Sequence, residues 1–567
     1  MNRIVFDIEG NGLTEIVLGK KGRVIPEGDT VHCMVLLDLD SDNMLTLGPN
    51  EIEEGVEMLR NADLLVGHNI TMYDIPMLER LYGKIDTDTI DTLIVSKLMY
   101  PDRNQHPFGG NSLEAWGKQL GIYKDDYDGG WEAFTEEMLS YCAQDTKVNK
   151  AIYLKQLSFI MSNERVIAFE HILSKIIAEQ INNGFGFDLD KARELEDTLL
   201  KRKEVIDNGF ERIFPTKIIE RYSDKTGNRL KDKVVSFNPG SRKQIADRLG
   251  EKYNWKPPLT DKGNPKVDET VLKKLNFPEA KVLVEYFNII KLMGQVTDWI
   301  TRASSSRDGR IHGSINPQGT VTGRMTASQP NLQQVSGDPR ARRLFVPREG
   351  WVQVGIDAKG LEARMLGNRM YPFDEGEYGR IIVEKDIHTE NQRLAGLSNR
   401  SDAKTFFYGF IYGAGDAKIG QIVGKSSYIG RKLKKQFLDG LPALKKVIDD
   451  CKKQVKKTNS IELLDGRYVP CRSAHAALNV QLQGDGAVVM KLAQCILDRK
   501  LKNNKLHHFV KFMATVHDEW QLECPPALAE QVGKLGCRCI KEAGERLGCK
   551  IPLEGDFRVG KNWSECH

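Results

Sequence analysis

Residues 351–367 read WVQVGIDAKGLEARMLG, and residues 512–524 read FMATVHDEWQLEC. The first stretch alternates apolar and polar residues as a β-strand does, runs into Asp357, and opens a helix at Gly360. The second reads as two strands hinged at His517, Asp518 and Glu519. Carboxylates at a strand end and at a hairpin tip are rigidly backed and reachable by solvent, as a metal site requires. An ordinary polar turn would also accept HDE at a hairpin tip, so other segments have to decide.

Between them lies RSDAKTFFYGFIYGAG, in which Arg400, Lys404, Tyr408 and Tyr412 recur every four residues. Four helical steps turn about 400°, so these side chains form one slowly drifting stripe. Two cations followed by two aromatics suit a triphosphate, with charge on the phosphates and rings toward sugar and base. An amphipathic helix with its aromatics in the core would not explain the two cations in line with them.

A second acidic set opens the chain. DIEGN, residues 7 to 11, follows the strand-like Ile4, Val5 and Phe6, and period-2 alternation puts Asp7 and Glu9 on one face. Two like charges side by side repel, so a cation between them is the natural functional reading. VGHNITMYD places Asp74 after a further strand, and YCAQD places Tyr141 and Asp145 four apart on one helical face. Four carboxylates, Asp7, Glu9, Asp74 and Asp145, can then surround two divalent cations for phosphodiester hydrolysis, with Tyr141 orienting the attacking water.

At 567 residues the chain is too long for one core and should form two or three domains. Its 40% apolar and 28% charged residues and net charge of +4 describe a soluble globular protein. No apolar stretch approaches 18 residues and no leader is visible, so a cytoplasmic protein without a membrane segment is expected. The ten cysteines show no CxxC pair and are expected to be reduced. KRK at 201–203, RKLKK at 431–435 and the lysine-rich run from 445 read individually as solvated helix faces.

Strands and helices alternate from residue 1 to about 160; long amphipathic patterns dominate about 162–310; mixed elements fill the remainder. FPTKIIERYSDKTGNRLKDK, from Phe214, reads as loop.

DIE, HNITMYD and YCAQD resemble the three motifs of DEDDy-type 3′→5′ exonucleases, with Asn69 five residues before Asp74 as in podovirus polymerases. DAKGLE (357–362), the Arg400–Tyr412 stripe and VHDE (516–519) resemble motifs A, B and C of family A DNA polymerases. HGSINPQGTVTGRMTASQPNLQQV from His312, DIHTEN from Asp386, RSAHAALNVQLQGDGA from Arg472 and the terminal GKNWSECH strengthen the match, which is most similar to the replicative polymerases of T-odd podophages.

The resemblance implies an α/β and α+β multidomain chain. An RNase H-like exonuclease domain (1–160) would be followed by a right-hand polymerase domain, with a largely helical thumb (161–310) and then palm and fingers (311–567). It implies template-directed DNA synthesis with proofreading, in the service of viral DNA replication. Two Mg²⁺ per active site are implied, with Mn²⁺ as the alternative. One pair would be held by Asp357 and Asp518 with Glu519 beside them, the other by Asp7, Glu9, Asp74 and Asp145. His388, Arg400 and Lys404 would neutralise phosphate charge. Tyr408 would pack on the deoxyribose, Tyr412 would stand at the templating position, and Glu362 would block a ribose 2′-OH. Arg324, Arg342, Gln483 and His517 would contact primer-template DNA.

Primer-template and dNTPs are the implied partners, with a phage helicase-primase and single-strand binding protein as further ones. No 5′-nuclease region is visible, unlike in full bacterial repair polymerases. Only about 47 residues separate GFGFD (184–188) from SFNPGS (236–241), too few for the whole thioredoxin-binding insertion of podovirus enzymes, which argues against thioredoxin-dependent processivity. A single-subunit RNA polymerase shares the palm motifs, but Glu362 and the linked exonuclease motifs argue against it. A non-catalytic accessory factor would have lost metal ligands, and here all six remain.

Overall fold

The computed structural model describes residues 2–12, 17–18, 24–25, 28–123, 127–260 and 262–567. They divide into two compact units, Met1–Gly186 with Arg310–Gln334 and Val346–His567, and Phe187–Gly309 with Val335–Phe345. The expected boundaries at 160/161 and 310/311 therefore differ from the structural ones: the helix after residue 160 belongs to the larger unit, and residues 335–345 to the smaller.

The larger unit begins with a five-stranded sheet of β1 (Arg3–Gly10), β2 (Val31–Asp38), β3 (Met44–Leu47), β4 (Leu64–Gly67) and β5 (Thr89–Asp91) in the order β3-β2-β1-β4-β5. β1 pairs antiparallel with β2 and parallel with β4, so the hydrophobic β1 is central and nearly wholly buried. Helix α1 (Asp74–Tyr82) follows β4, and α2 (Glu136–Ser162) packs on β1 and β2, burying Met138 and Cys142 against Cys33 and Val35. Helix α3 (Glu164–Asn183) continues from α2 with only Asn163 between them.

The smaller unit is led by α4 (Leu189–Ile213) and α5 (Pro278–Ser305). Phe187, Trp299 and Phe345 pack edge to face in its core, with centroids 5.0 to 6.3 Å apart. The stretch from Phe214, read as loop, is instead an antiparallel hairpin, β6 (Lys217–Tyr222) and β7 (Arg229–Val235), turning through Gly227 at φ 67°. Its residues are almost all exposed, so neither face carries the apolar-in, polar-out alternation by which a strand is read.

The larger unit resumes with a second sheet, order β9-β10-β8-β11, fully antiparallel: β8 (Val352–Ala358), β9 (Lys511–Val516), β10 (Glu519–Cys524) and β11 (Gly555–Gly560). Helices α6 (Leu361–Asp374), α7 (Ile387–Ala395), α8 (Arg400–Ile411) and α9 (Ala477–Asn503) lie between β8 and β9 in the chain, and α10 (Ala529–Arg546) between β10 and β11. Their apolar faces meet in one large core that includes Ile356, Leu366, Phe406, Phe437 and Trp520.

A buried ion cluster ties α3 to α9. The Glu170 carboxylate accepts Lys491 Nζ at 2.9 Å, Arg467 Nη1 at 2.6 Å and the Gln318 amide at 2.8 Å. Burial opposes its ionisation, but Lys491 and Arg467 outweigh it and hold Glu170 at about 2. Breaking such a cluster costs most where it leaves cations unpaired. Glu170→Gln, which strands Lys491, should therefore destabilise by about 3 to 5 kcal/mol, and Lys491→Met by less, because Arg467 still neutralises Glu170. Urea midpoints in the reverse order would refute this account.

Candidate active sites

Strand register builds the first centre. Asp357 of β8 lies opposite Glu519 of β10 and Asp556 of β11. Val516 and Glu519 pair across a two-residue loop in which His517 takes a left-handed φ of 55°. Such loops follow the strand twist only with positive φ, so the hairpin geometry itself presents Asp518 at the tip. The Asp518 carbonyl accepts the Ala358 N–H at 3.0 Å, tying the tip to the strand end that carries Asp357.

Acidic side chains thus crowd one end of the sheet. Partial desolvation and then the charges of Asp518 and Glu519 push Asp357 up to about 7, although its side chain keeps solvent access. Burial and the charge of Glu362 push Asp518 up to about 6. Glu519 goes the other way. Burial opposes its ionisation, but His567 Nδ1 at 2.8 Å, the Trp563 indole N–H at 2.9 Å and the Gln521 amide hold it below the usual range.

Glu362, in the first turn of α6, accepts Arg324 Nη2 at 3.2 Å and the Tyr412 hydroxyl at 3.1 Å. On α8, Arg400 and Lys404 face solvent and Tyr408 is half-buried, while Ala403, Phe406, Phe407 and Phe410 are buried. The expected stripe is present, and Tyr412 caps its helix. Asp386 caps α7 and accepts Arg400 Nε at 2.6 Å, so the helix of His388 and that of Arg400 share one ion pair. Burial, Arg400 and Lys404 hold His388 below its usual range, and its ring lies 5.9 Å from that of Tyr408. The Tyr408 phenol is raised by burial and by the charges of Glu362 and Asp518. Arg324 and His517 line one small cavity with Glu362 and Asp518. Gln483 is half-buried on α9, and Arg342 lies in the smaller unit.

The second centre lies on β1. Asp7 is buried and Glu9 half-buried on one face, opposite Val35 and Cys33. Asp74, buried at the start of α1, accepts the Ile8 N–H at 3.3 Å, and burial pushes it up to about 7. The neighbouring Tyr73 phenol is raised by burial and by the charges of Asp74, Glu9 and Asp7. Asp145 is buried on α2, one turn after Tyr141, whose ring packs against Tyr127 and Trp131. Ligand atoms of Asp7 and Glu9 come within 4.8 Å of each other and of Cys142 Sγ, which had no place in the sequence reading. Asp556, Tyr73 and the Asp386–Arg400 pair were likewise missed. Strand register reveals the first, and the second stands next to Asp74 in a quoted motif.

The family model described as DNA polymerase family A matches residues 216–565. This chain belongs to DNA polymerase family A. It is 32% identical to the DNA-directed DNA polymerases of Enterobacteria phage T3 and Escherichia phage T7, with 100% of each chain covered. Those alignments run to 719 positions against 567 residues here, so the two phage proteins carry more than a hundred positions that this family A chain lacks. DNA polymerase I of Aquifex aeolicus is 26% identical, with 95% of this chain and 94% of that one covered. The polymerase domain of Pol1 from M. smegmatis, solved in complex with DNA primer-template and dNTP, matches with a TM-score of 0.79 at 18% identity, covering 99% of this chain and 96% of that one. The expected fold class stands: an RNase H-like domain followed by the polymerase fold of family A, in a mixed α/β and α+β chain. No helix among the described residues is long and apolar enough to cross a membrane.

A carboxyl raised in the folded state favours folding at low pH, and that contribution is lost as pH rises through its folded value. For Asp357 the loss runs from about 4 to about 7. With chelator present, Asp357→Asn should match the wild-type melting temperature at pH 4 and exceed it at pH 8. An equal difference at both pH values would remove the assigned repulsion.

Proposed function

We propose that the chain is a template-directed DNA polymerase with 3′→5′ proofreading, replicating viral DNA in the host cytoplasm with two-metal-ion chemistry at both centres. The observation that carries the reading is the meeting of Asp357 and Asp518 at one sheet end, with Tyr408 of the cationic helix face within reach of the Asp518 charge. Oxygen donors whose ionisation is held back by burial and by neighbouring carboxylates are what a hard divalent cation relieves, so the residues fit Mg²⁺, with Mn²⁺ as the alternative. Such ions, when bound, supply an activated 3′-hydroxyl or water and stabilise the leaving oxygen.

The chain's own residues do the rest. Arg400, Lys404 and His388 offset triphosphate charge, Tyr408 packs on the deoxyribose and Tyr412 stands by the template base. Arg324, Arg342, Gln483 and His517 hold primer-template. In the other centre Asp7, Glu9, Asp74 and Asp145 hold the ions and Tyr141 orients the water. Helicase-primase and single-strand binding protein are the further partners of this reading, and the roughly 47 residues between Asp188 and Ser236 argue against thioredoxin-dependent processivity.

Primer extension with Mg²⁺, using dNTPs and separately rNTPs, tests the polymerase. The two activities should separate. Asp7→Ala with Glu9→Ala should lower single-strand degradation by about three powers of ten and leave extension nearly intact, and Asp518→Ala should do the reverse, since each loses several kcal/mol of charge stabilisation at one centre only. Parallel loss of both activities in folded protein would end the two-site assignment.

Glu362 is held in place by Arg324 and Tyr412, which gives a sugar gate a fixed position. Glu362→Ala should raise rNTP use relative to dNTP by roughly tenfold or more, and Tyr412→Phe by less, because Arg324 still anchors the carboxylate. Unchanged ratios in single-nucleotide incorporation would place the gate elsewhere.

A further inference from the structure

The carboxylates of the second centre have a sulfur beside them. Cys142 follows Tyr141 on α2, and the packing of that helix on β1 brings its Sγ to 3.6 Å from Asp7 Oδ2 and 3.4 Å from the Asp7 carbonyl oxygen. Ligand atoms of Asp7, Glu9 and Cys142 all lie within 4.8 Å of one another, the one such group of three His, Cys, Asp or Glu residues found among the described residues. A tetrahedral cation with metal–sulfur and metal–oxygen bonds of about 2.3 and 2.1 Å holds those two ligand atoms about 3.6 Å apart. The Cys142 thiol donates a hydrogen bond to Asp7 Oδ2 at that same distance, so a cation would take the place of the thiol proton with little movement of either ligand atom. Cys33 lies opposite Glu9 in the register and is buried in the same cluster as Cys142.

We propose that Cys142 Sγ is a third donor of this centre and makes it select thiophilic divalent cations such as Co²⁺, Zn²⁺ and Cd²⁺ over Mg²⁺. The inference rests on the exonuclease reading of Asp7 and Glu9. Carboxylates alone favour hard cations, and one thiolate shifts the preference toward borderline and soft ones. Mg²⁺ binds the oxygens and leaves the sulfur as a bystander, whereas a thiophilic ion takes Sγ as well and releases its proton to solvent.

The test is a Co²⁺ titration of the full chain, following the sulfur-to-cobalt charge-transfer band in the near ultraviolet, with calorimetry to establish saturation. Wild type should develop the band. Cys142→Ser, Cys142→Ala and the Asp7→Asn, Glu9→Gln double variant should lack it, the last placing it at this centre rather than at another cysteine. Cd²⁺ should bind Cys142→Ser at least about tenfold more weakly than wild type, with Mg²⁺ affinity little changed. A saturated wild type without the band, or a Cys142→Ser protein that keeps it, overturns the proposal. Mg²⁺-supported degradation of single strands is scored separately: wild type that degrades without a band sinks the thiol alone, and wild type that shows the band without degrading sinks the exonuclease reading and leaves the metal site standing.

Discussion

A slip of one residue between Val352–Ala358 and Glu519–Cys524 would turn Asp357 to the other face of the sheet, away from Asp518, and the centre would cease to exist. Register is the constraint on which the rest depends, and buried polar contacts lock it. Glu523, opposite Gln353, is clasped by Arg310 at 2.9 Å and by Arg348 through both its guanidinium and its backbone N–H. Gln353 and Gln521 hydrogen-bond across the same strands, and Trp563 seals Glu519. Glu519 and Glu523 find these donors only in the observed pairing, because a slip would bury an unpaired carboxylate. Hydrophobic alternation selects the face, and these contacts select the rung.

The two centres meet the same electrostatic difficulty differently. At the sheet end, Asp357 and Asp518 stand on a strand terminus and a hairpin tip, and solvent shares the load. On β1, Asp7 and Asp74 are almost wholly buried, and the Ile8 N–H and a helix start stabilise what water cannot.

Much of this was legible in the sequence because strand and helix periods placed the acidic motifs before any coordinate did. Asp7 with Glu9, Asp357, the His517–Asp518 tip and the Arg400–Tyr412 stripe all follow from spacing of two or four residues. What was hidden depends on contacts across elements. Asp556 becomes part of the acidic row only through the pairing of β11 with β8, and Cys142 approaches Asp7 only because α2 lies on β1. The hairpin at 217–235 was missed because a strand with no buried side carries no alternation to read.

Adjacent residues of α3 look in different directions. Glu170 grips Lys491 and Arg467, while His171 accepts the Asp91 N–H at 2.7 Å, and the Asp91 carboxylate in turn accepts the N–H groups of Asn69 and Thr71, just ahead of Asp74. The helix thus holds both the sheet that carries Asp7 and the elements that carry Lys491 and Arg467. Grafting the first 160 residues onto a foreign polymerase would leave Glu170 and His171 behind and ask an unrelated helix to satisfy both neighbours. A transplant of the sheet would keep both contacts only if the chain were cut after Asn183 and Lys491, Arg467 and Gln318 came with it, so the two carboxylate centres are tied through a single turn of helix.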